Sequence, residues 1–335
     1  MYYEITDWYE KNKRDLPFRY YSEPYPVWVS EIMAQQTKIE TMIPYFLNWM
    51  DLFPTIESCA SAPLTSILKA WEGLGYYRRA RFLHLGCKYI VENHNGVFPS
   101  EYRDIIKIPG IGEYTASAIS SIVYNQKRAA VDGNVLRVVS RVIEYDQSID
   151  TATARQHVSK VVTEWMSESH LCDCSSFTQG LMEIGALVCL PANPLCDECP
   201  LKMKCGAYKN DTWTGYPIRK KSNRVPSYDY DVFLVIKENR LLVSEDWSDG
   251  LMLGLLRLPQ HPINNAHPFV DAEYKGTASH IYSHKKWRMN VFVAALKEET
   301  FIPQHTKWVS FDSVYEYPWI TAHKKIIQTY LQIKG

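Results

Sequence analysis

No uninterrupted apolar run in this sequence approaches the ~20 residues needed to cross a bilayer, which excludes a membrane-spanning helix. The N-terminus, Met1-Tyr2-Tyr3-Glu4-Ile5-Thr6-Asp7, lacks the apolar core of a signal peptide. The expected compartment is therefore the cytoplasm, where thiols stay reduced. Net charge is absent too: 37 Lys+Arg balance 37 Asp+Glu, and the formal charge of +0 neither points to nor excludes a nucleic-acid partner. No repeat of roughly 20–50 residues is visible, which excludes solenoids and propellers. What is present is a chain of 335 residues, enough for about two domains. Its 46% hydrophobic and 22% charged residues are ordinary for a globular core. Basic residues cluster in Tyr77-Arg78-Arg79-Ala80-Arg81 and Arg219-Lys220-Lys221, runs that are more often solvated surface than a DNA interface.

Apolar residues recur at helical spacing in Val27–Phe46, Leu64–Trp71, Ala80–Glu92, Tyr114–Tyr124, Val135–Glu144 and Phe177–Val188. Breakers fall between them at Pro54, Asn95-Gly96, Pro109-Gly110 and Asp132-Gly133. Residues 209–228 change character, with Asn210-Asp211, Gly215, Pro217, a basic run and Pro226, and read as a linker. Strand-like segments follow at Tyr230–Ile236, Arg240–Val243, Val291–Leu296 and Lys307–Phe311, and a helix closes the chain near His323–Gln332. The expectation is an all-α domain over 1–208, a linker over 209–228 and a smaller α+β domain over 229–335.

Four of the 8 cysteines, Cys189, Cys196, Cys199 and Cys205, follow the spacing C-x6-C-x2-C-x5-C. In a reducing compartment such a crowd reads as a metal site before it reads as disulfides. Four thiolates on one short loop suit a [4Fe–4S] cubane. Pro191, Pro194 and Pro200 stiffen that loop and lower the entropy lost on wrapping. The alternative is a Cys₄ zinc site, whose knuckles usually come as two C-x2-C pairs, and only one such pair is present. Cys59, Cys87, Cys172 and Cys174 read as ordinary buried or partly buried thiols.

Ile108-Pro109-Gly110-Ile111-Gly112-Glu113-Tyr114-Thr115-Ala116 lies between two helical segments. Gly110 and Gly112 let the backbone turn tightly and present bare N–H groups at a helix N-terminus, a seat for a phosphate. Such a contact positions DNA without reading its sequence. A plain helical corner needing glycine for its shape is the bland alternative.

The order of helix-hairpin-helix, Val131-Asp132-Gly133-Asn134-Val135 and cysteine cluster resembles the endonuclease III superfamily of DNA glycosylases. Trp28-Val29-Ser30-Glu31-Ile32-Met33-Ala34-Gln35-Gln36-Thr37 and Trp71-Glu72-Gly73-Leu74-Gly75-Tyr76-Tyr77 are similar to its adenine glycosylase (MutY-type) branch, and the resemblance runs over nearly the whole chain. It implies an all-α helix-hairpin-helix core with an iron–sulfur loop and a Nudix-like C-terminal domain. It also implies base-excision repair by base flipping. The partner would be duplex DNA carrying 8-oxoguanine:adenine or guanine:adenine mispairs, bound by a monomer, cytoplasmic and nucleoid-associated when on DNA.

In the resembled branch the Glu protonates adenine at N7 and the Asp stabilises the oxocarbenium ion, roles that would fall to Glu31 and Asp132. Two carboxyl groups suit that division of labour. Val27, Trp28, Val29, Ile32 and Met33 surround Glu31 and would keep it protonated, whereas Asp132, beside the polar Gly133-Asn134 turn, would more easily stay ionised. Asn134 joins the catalytic set with them. An exposed helical Glu and an Asp that only caps a helix are the plain alternatives. Tyr114 stands where endonuclease III carries its nucleophilic lysine, which implies a monofunctional glycosylase.

The resemblance places Gln35 in the gap left by the flipped adenine, and Leu74 and Tyr76 as wedges, though both could simply be core. It places Arg14, Arg19 and Gln179 in the adenine pocket, with Phe18 where a Trp is common. In the tail, Gly250-Leu251 through Leu258-Pro259 is similar to a Nudix segment, with Leu256, Arg257 and Leu258 departing from it. No R-E-x-x-E-E run follows Pro259, so no pyrophosphatase is expected. Tyr282-Ser283-His284 looks like the tip that recognises 8-oxoguanine, against the alternative of an unremarkable polar hairpin.

Overall fold

The computed structural model describes residues 1–220, 225–248, 252–263, 265, 267, 269–282, 285–296 and 304–331. By its contacts the chain divides into two compact units, Met1–Ser61 with Leu85–Ser222 and Ala62–His84 with Asn223–Gly335. The segment 62–84, read in the sequence as part of the helical core, thus packs in the second unit.

Among the described residues the helices are α1 Tyr2–Asn12, α2 Pro24–Ala34, α3 Ile39–Leu52, α4 Ile56–Ser61, α5 Leu64–Ala70, α6 Arg78–His94 and α7 Tyr102–Ile105. They continue with α8 Glu113–Ile122, α9 Gly133–Val142, α10 Ala152–Met166, α11 Cys174–Leu187, α12 Gly206–Lys209 and, after the strands, α13 Thr321–Leu331. None is long and apolar enough to cross a membrane. The apolar run Val27–Phe46, expected as one segment, is two helices. Gln36 adopts φ +56° and Lys38 is extended, so the chain breaks between α2 and α3. Apolar periodicity survives the break because both helices bury a face.

The first unit's core gathers Val135, Val138, Val139 and Val142 of α9 with Val158 and Trp165 of α10 and Phe177, Leu181 and Ile184 of α11. Each such side chain contributes roughly 1.5–3 kcal/mol on burial. Helix α1 crosses α11 closely at Gly180, where a Cβ would lie 2.9 Å from the Tyr9 Cβ and 3.0 Å from the Ile5 Cγ2. The end of the expected linker belongs to this unit: Ile149 N–H donates to the Ile218 carbonyl at 3.0 Å, and Lys220 N–H to Asp150 at 2.8 Å.

In the second unit the strands are β1 Ser227–Lys237, β2 Arg240–Ser244, β3 Gln260–Pro262, β4 Phe269–Tyr282, β5 Lys285–Leu296 and β6 Thr306–Ser310. The sheet order is β4-β5-β1-β2-β6, with β3 paired on β1. Strands β1 and β5 run parallel, Val232 facing Val291 and Leu234 facing Val293, and the remaining pairs are antiparallel. Val232 to Val235 are all buried, as a central strand requires.

Candidate active site

Helix α2 starts on Pro24 at its first turn and buries Val27, Trp28, Val29, Ile32 and Met33. Glu31 therefore sits in an apolar setting, and its Oε2 accepts a hydrogen bond from the Tyr114 hydroxyl at 2.6 Å. Burial raises the Glu31 carboxyl to about 7. The charge of Asp132 adds to the rise, while the Tyr114 hydroxyl and Arg19 oppose it. Burial, with Glu31 and Asp132 beside it, holds the Tyr114 phenol well above its ordinary range, so at neutral pH the phenol is a donor.

Asp132 is the N-cap of α9. Its Oδ1 accepts the Val135 N–H at 2.7 Å and its Oδ2 accepts the Asn134 amide at 3.0 Å. Asp132 thus fills the capping role of a helix N-terminus. Burial raises the Asp132 carboxyl, while the hydrogen bonds from Val135 and Asn134 and the charge of Arg137 oppose the rise. Asn134 is itself fixed by Arg137, whose Nη2 donates to its Oδ1 at 2.8 Å and to the Gly185 carbonyl at 2.7 Å. Gly185 has no room for a side chain, because a Cβ would lie 2.6 Å from the Asn134 Cβ.

Arg14 and Arg19 converge on Glu183 of α11, a residue the sequence did not single out. Arg14 Nε and Nη2 each donate to its carboxylate at 2.8 Å, and Arg19 Nη2 and Nη1 at 2.8 and 3.1 Å. Burial works against this carboxylate, yet the hydrogen bonds from Arg14 and Arg19 hold its pKa at about 2. The signal was the only charged side chain of α11, four residues after Gln179. Gln179 itself bonds Ser175 at 3.1 Å. Phe18 meets Phe46 edge-on, and Gln35 donates to the Thr115 hydroxyl at 3.3 Å.

In the hairpin only Gly110 needs glycine's freedom, with φ +85°. Gly112 is extended (φ −96°) at the N-cap of α8, and an added Cβ would meet nothing within 4 Å. Open space there leaves the first N–H groups of α8 accessible to an anion. A cleft beside Tyr114 is also lined by Lys127, Arg128, Arg155 and Lys160, cations too scattered in sequence to form a run.

Cys189, Cys196, Cys199 and Cys205 line one small cavity with Val138, Arg141, Val188 and Leu201. Among the described residues no three His, Cys, Asp or Glu side chains meet closely enough to hold a single metal ion. Arg141 packs the loop, donating to the Leu190 carbonyl at 2.7 Å, the Pro191 carbonyl at 2.8 Å and the Cys189 Sγ at 3.4 Å. Arg137 Nε donates to the Cys189 carbonyl at 2.8 Å. Cys59, Cys87, Cys172 and Cys174 are buried, as expected of structural thiols.

In the second unit Leu74 is buried and Tyr76 is 43% exposed in the left-handed region, φ +49°. Tyr282 at the end of β4 stacks edge-on against Trp287, and its buried hydroxyl has no partner among the described residues. Ser283 and His284 lie outside the described residues, as do Gly250 and Leu251.

The profile of the HhH-GPD superfamily of base excision DNA repair proteins matches residues 29–164, and a NUDIX domain profile matches residues 231–329. An adenine DNA glycosylase of Buchnera aphidicola subsp. Baizongia pistaciae is 36% identical over 77% of this chain and 73% of its own length. The mouse adenine DNA glycosylase is 29% identical over 97% of this chain and 77% of its own length. A thermostable thymine-DNA glycosylase shares the fold at TM-score 0.56 and 23% identity, over 62% of this chain and 94% of that one.

Proposed function

The chain belongs to the adenine DNA glycosylases, and from that membership we propose how its residues excise adenine. The substrate is adenine opposite 8-oxoguanine or guanine in duplex DNA, flipped from the stack before its N-glycosidic bond is hydrolysed. The observation that carries the reading is the carboxyl pair, with Glu31 raised to about 7 beside Asp132. A departing purine needs a proton and leaves a cation-like sugar. Because the Asp132 charge favours the proton on Glu31, the pair divides the work: Glu31 donates to adenine N7 and Asp132 stabilises the sugar cation. Asn134, held by Arg137, aims Asp132. Tyr114 supports Glu31 and offers no amine for a Schiff base, so excision is monofunctional.

Arg14, Arg19, Phe18 and Gln179 with Glu183 would hold the base. Gln35, Leu74 and Tyr76 would fill the space it leaves. The α8 N-terminus at Gly110–Gly112 would seat a phosphate, and Tyr282, Ser283 and His284 would read the opposite base. Cys189, Cys196, Cys199 and Cys205 line one cavity, with Arg141 offering a guanidinium to Cys189, and are the residues that would hold an iron–sulfur cluster. A [4Fe–4S] cluster bound there would supply a cross-link of residues 189–205 and no step of the excision. The protein would act as a monomer at the nucleoid.

Incubation with an 8-oxoguanine:adenine duplex followed by hot alkali tests the proposal. Strand breaks at the adenine support it, and their absence with iron-replete protein refutes it.

A further inference from the structure

Within the second unit the segment 62–84 is clamped to the tail by one carboxylate. Glu72 is 8% exposed and is bound by Lys69 Nζ at 2.8 Å and by Lys324 Nζ of α13 at 2.6 Å. The Trp319 backbone N–H donates to its other oxygen at 2.9 Å. Lys69 also donates to the carbonyls of Tyr315 and, at 3.3 Å, Tyr317. Immediately after Glu72 comes a turn in which Gly73, Gly75 and Tyr76 all have positive φ, at +101°, +78° and +49°.

Such a turn persists only where its surroundings over-determine it, above all at the non-glycine Tyr76. The surroundings here do so. Trp71 Nε1 donates to the Gly75 carbonyl at 2.9 Å, and Arg79 Nη2 donates to the same oxygen at 3.2 Å. The Tyr77 hydroxyl accepts the Gly73 N–H at 3.1 Å and donates to the Trp319 carbonyl at 3.5 Å. Trp71 and Trp319 are both fully buried. Trp319 therefore accepts from Tyr77 through its carbonyl and donates to Glu72 through its N–H, so two of the contacts around the turn meet in the same tail residue.

We infer that Glu72 is a positioning residue for adenine excision, through which the tail segment 315–324 fixes the turn carrying Leu74 and Tyr76. The inference rests on the proposed function and on Tyr76, the exposed one of the two, entering the duplex. It gives the C-terminal domain a second task, shaping the wedge, alongside reading the opposite base. A carboxylate suits the task because it can hold two ammonium groups and an amide at once, which no neutral side chain of its size can do.

The test compares wild type, Glu72→Gln, Lys324→Ala and Lys324→Arg by two measurements. One is hydrogen exchange at the amides of Gly73 to Tyr77 in the free protein. The other is the single-turnover rate constant on an 8-oxoguanine:adenine duplex, which does not depend on the fraction of folded enzyme. In Glu72→Gln and Lys324→Ala, exchange at the turn should quicken and excision slow, each by roughly tenfold or more, while exchange in α9 stays put. Lys324→Arg, which keeps the charge, should recover both. If Glu72→Gln does not fold, Lys324→Ala carries the test, since it leaves Lys69 and the Trp319 amide on the carboxylate. Unchanged exchange at the turn, or faster exchange with a wild-type rate constant, overturns the inference. A wild type that releases no adenine overturns the functional reading instead, and the exchange rates then decide alone whether Glu72 holds the turn.

Discussion

Above a pH of about 7 the Glu31 carboxyl loses the proton that a leaving purine needs, so excision should decline as pH rises through that value. The Tyr114 hydroxyl lowers the Glu31 pKa by bonding its charged form. Tyr114→Phe should therefore shift this basic limb to higher pH, measured as single-turnover rate against pH, and a limb that does not move would show that the phenol does not stabilise the charged carboxylate. Glu31→Gln keeps the shape without the proton and should slow excision by ~10²–10⁴ while mismatch binding survives. The same variant has a stability signature. A carboxyl raised in the fold stabilises the native state least once pH exceeds its folded value, so replacing it should help above pH 7 and do nothing near pH 4. Discounted for partial exposure, the gain is on the order of 1–2 kcal/mol, read as a higher Tm for Glu31→Gln at pH 8.

At the scale of elements, the helix-hairpin-helix makes two glycines unequal. Gly110→Ala forces a side chain into a left-handed turn and should cost about 1 kcal/mol of stability. Gly112→Ala meets no neighbour and should leave melting unchanged, yet weaken duplex binding by placing a methyl where the phosphate approaches the α8 amides. Binding isotherms and melts of both variants separate these effects. The cysteine loop carries its own prediction: protein purified without oxygen should be brown, with about four irons per chain. One zinc and no iron would sink it, and Cys199→Ser should loosen the loop that Arg137 and Arg141 brace.

These elements also show what the sequence could reveal. Glu31, Asp132 and Tyr114 stand in motifs whose residue types match the chemistry, and the fold brings Glu31 to Tyr114. Glu183 escaped because a carboxylate looks ordinary until two guanidinium groups fold onto it. Strand β4 escaped because its stretch from Asp271 to Lys275 is exposed and its pairing with β5 is interrupted by register shifts, so no clean alternation is written in it. Helix α10 escaped for the opposite reason, since its buried Ala154, Val158, Val162 and Trp165 are spaced among polar residues that mask the stripe.

For the molecule as a whole, the division into units bears on how selectivity should be dissected. Adenine paired with thymine is normal DNA, so preference must come from the opposite base, and the tip at Tyr282, Ser283 and His284 is the proposed reader. 8-Oxoguanine differs from guanine by an oxygen at C8 and a proton at N7. A hydroxyl and an imidazole offer the donor and acceptor to sense this, at ~1–3 kcal/mol per contact. Ending the chain after Ser222 would not test the tip cleanly. It also strips the segment 62–84 of the partners that its unit supplies, baring Ile67, Leu68 and Trp71, which are fully buried in the intact fold. Such a truncated protein should melt lower and excise slowly on every duplex, whatever it does to preference. Ser283→Ala with His284→Ala in the full chain leaves Glu72, the turn and the carboxyl pair in place. It should lower the ratio of single-turnover rates, 8-oxoguanine:adenine over guanine:adenine, by roughly tenfold or more at an unchanged Tm. A ratio that stays at the wild-type value in the double variant, with the truncated chain alone affected, would assign the tail to holding the wedge and leave the reading of the opposite base to the helical core.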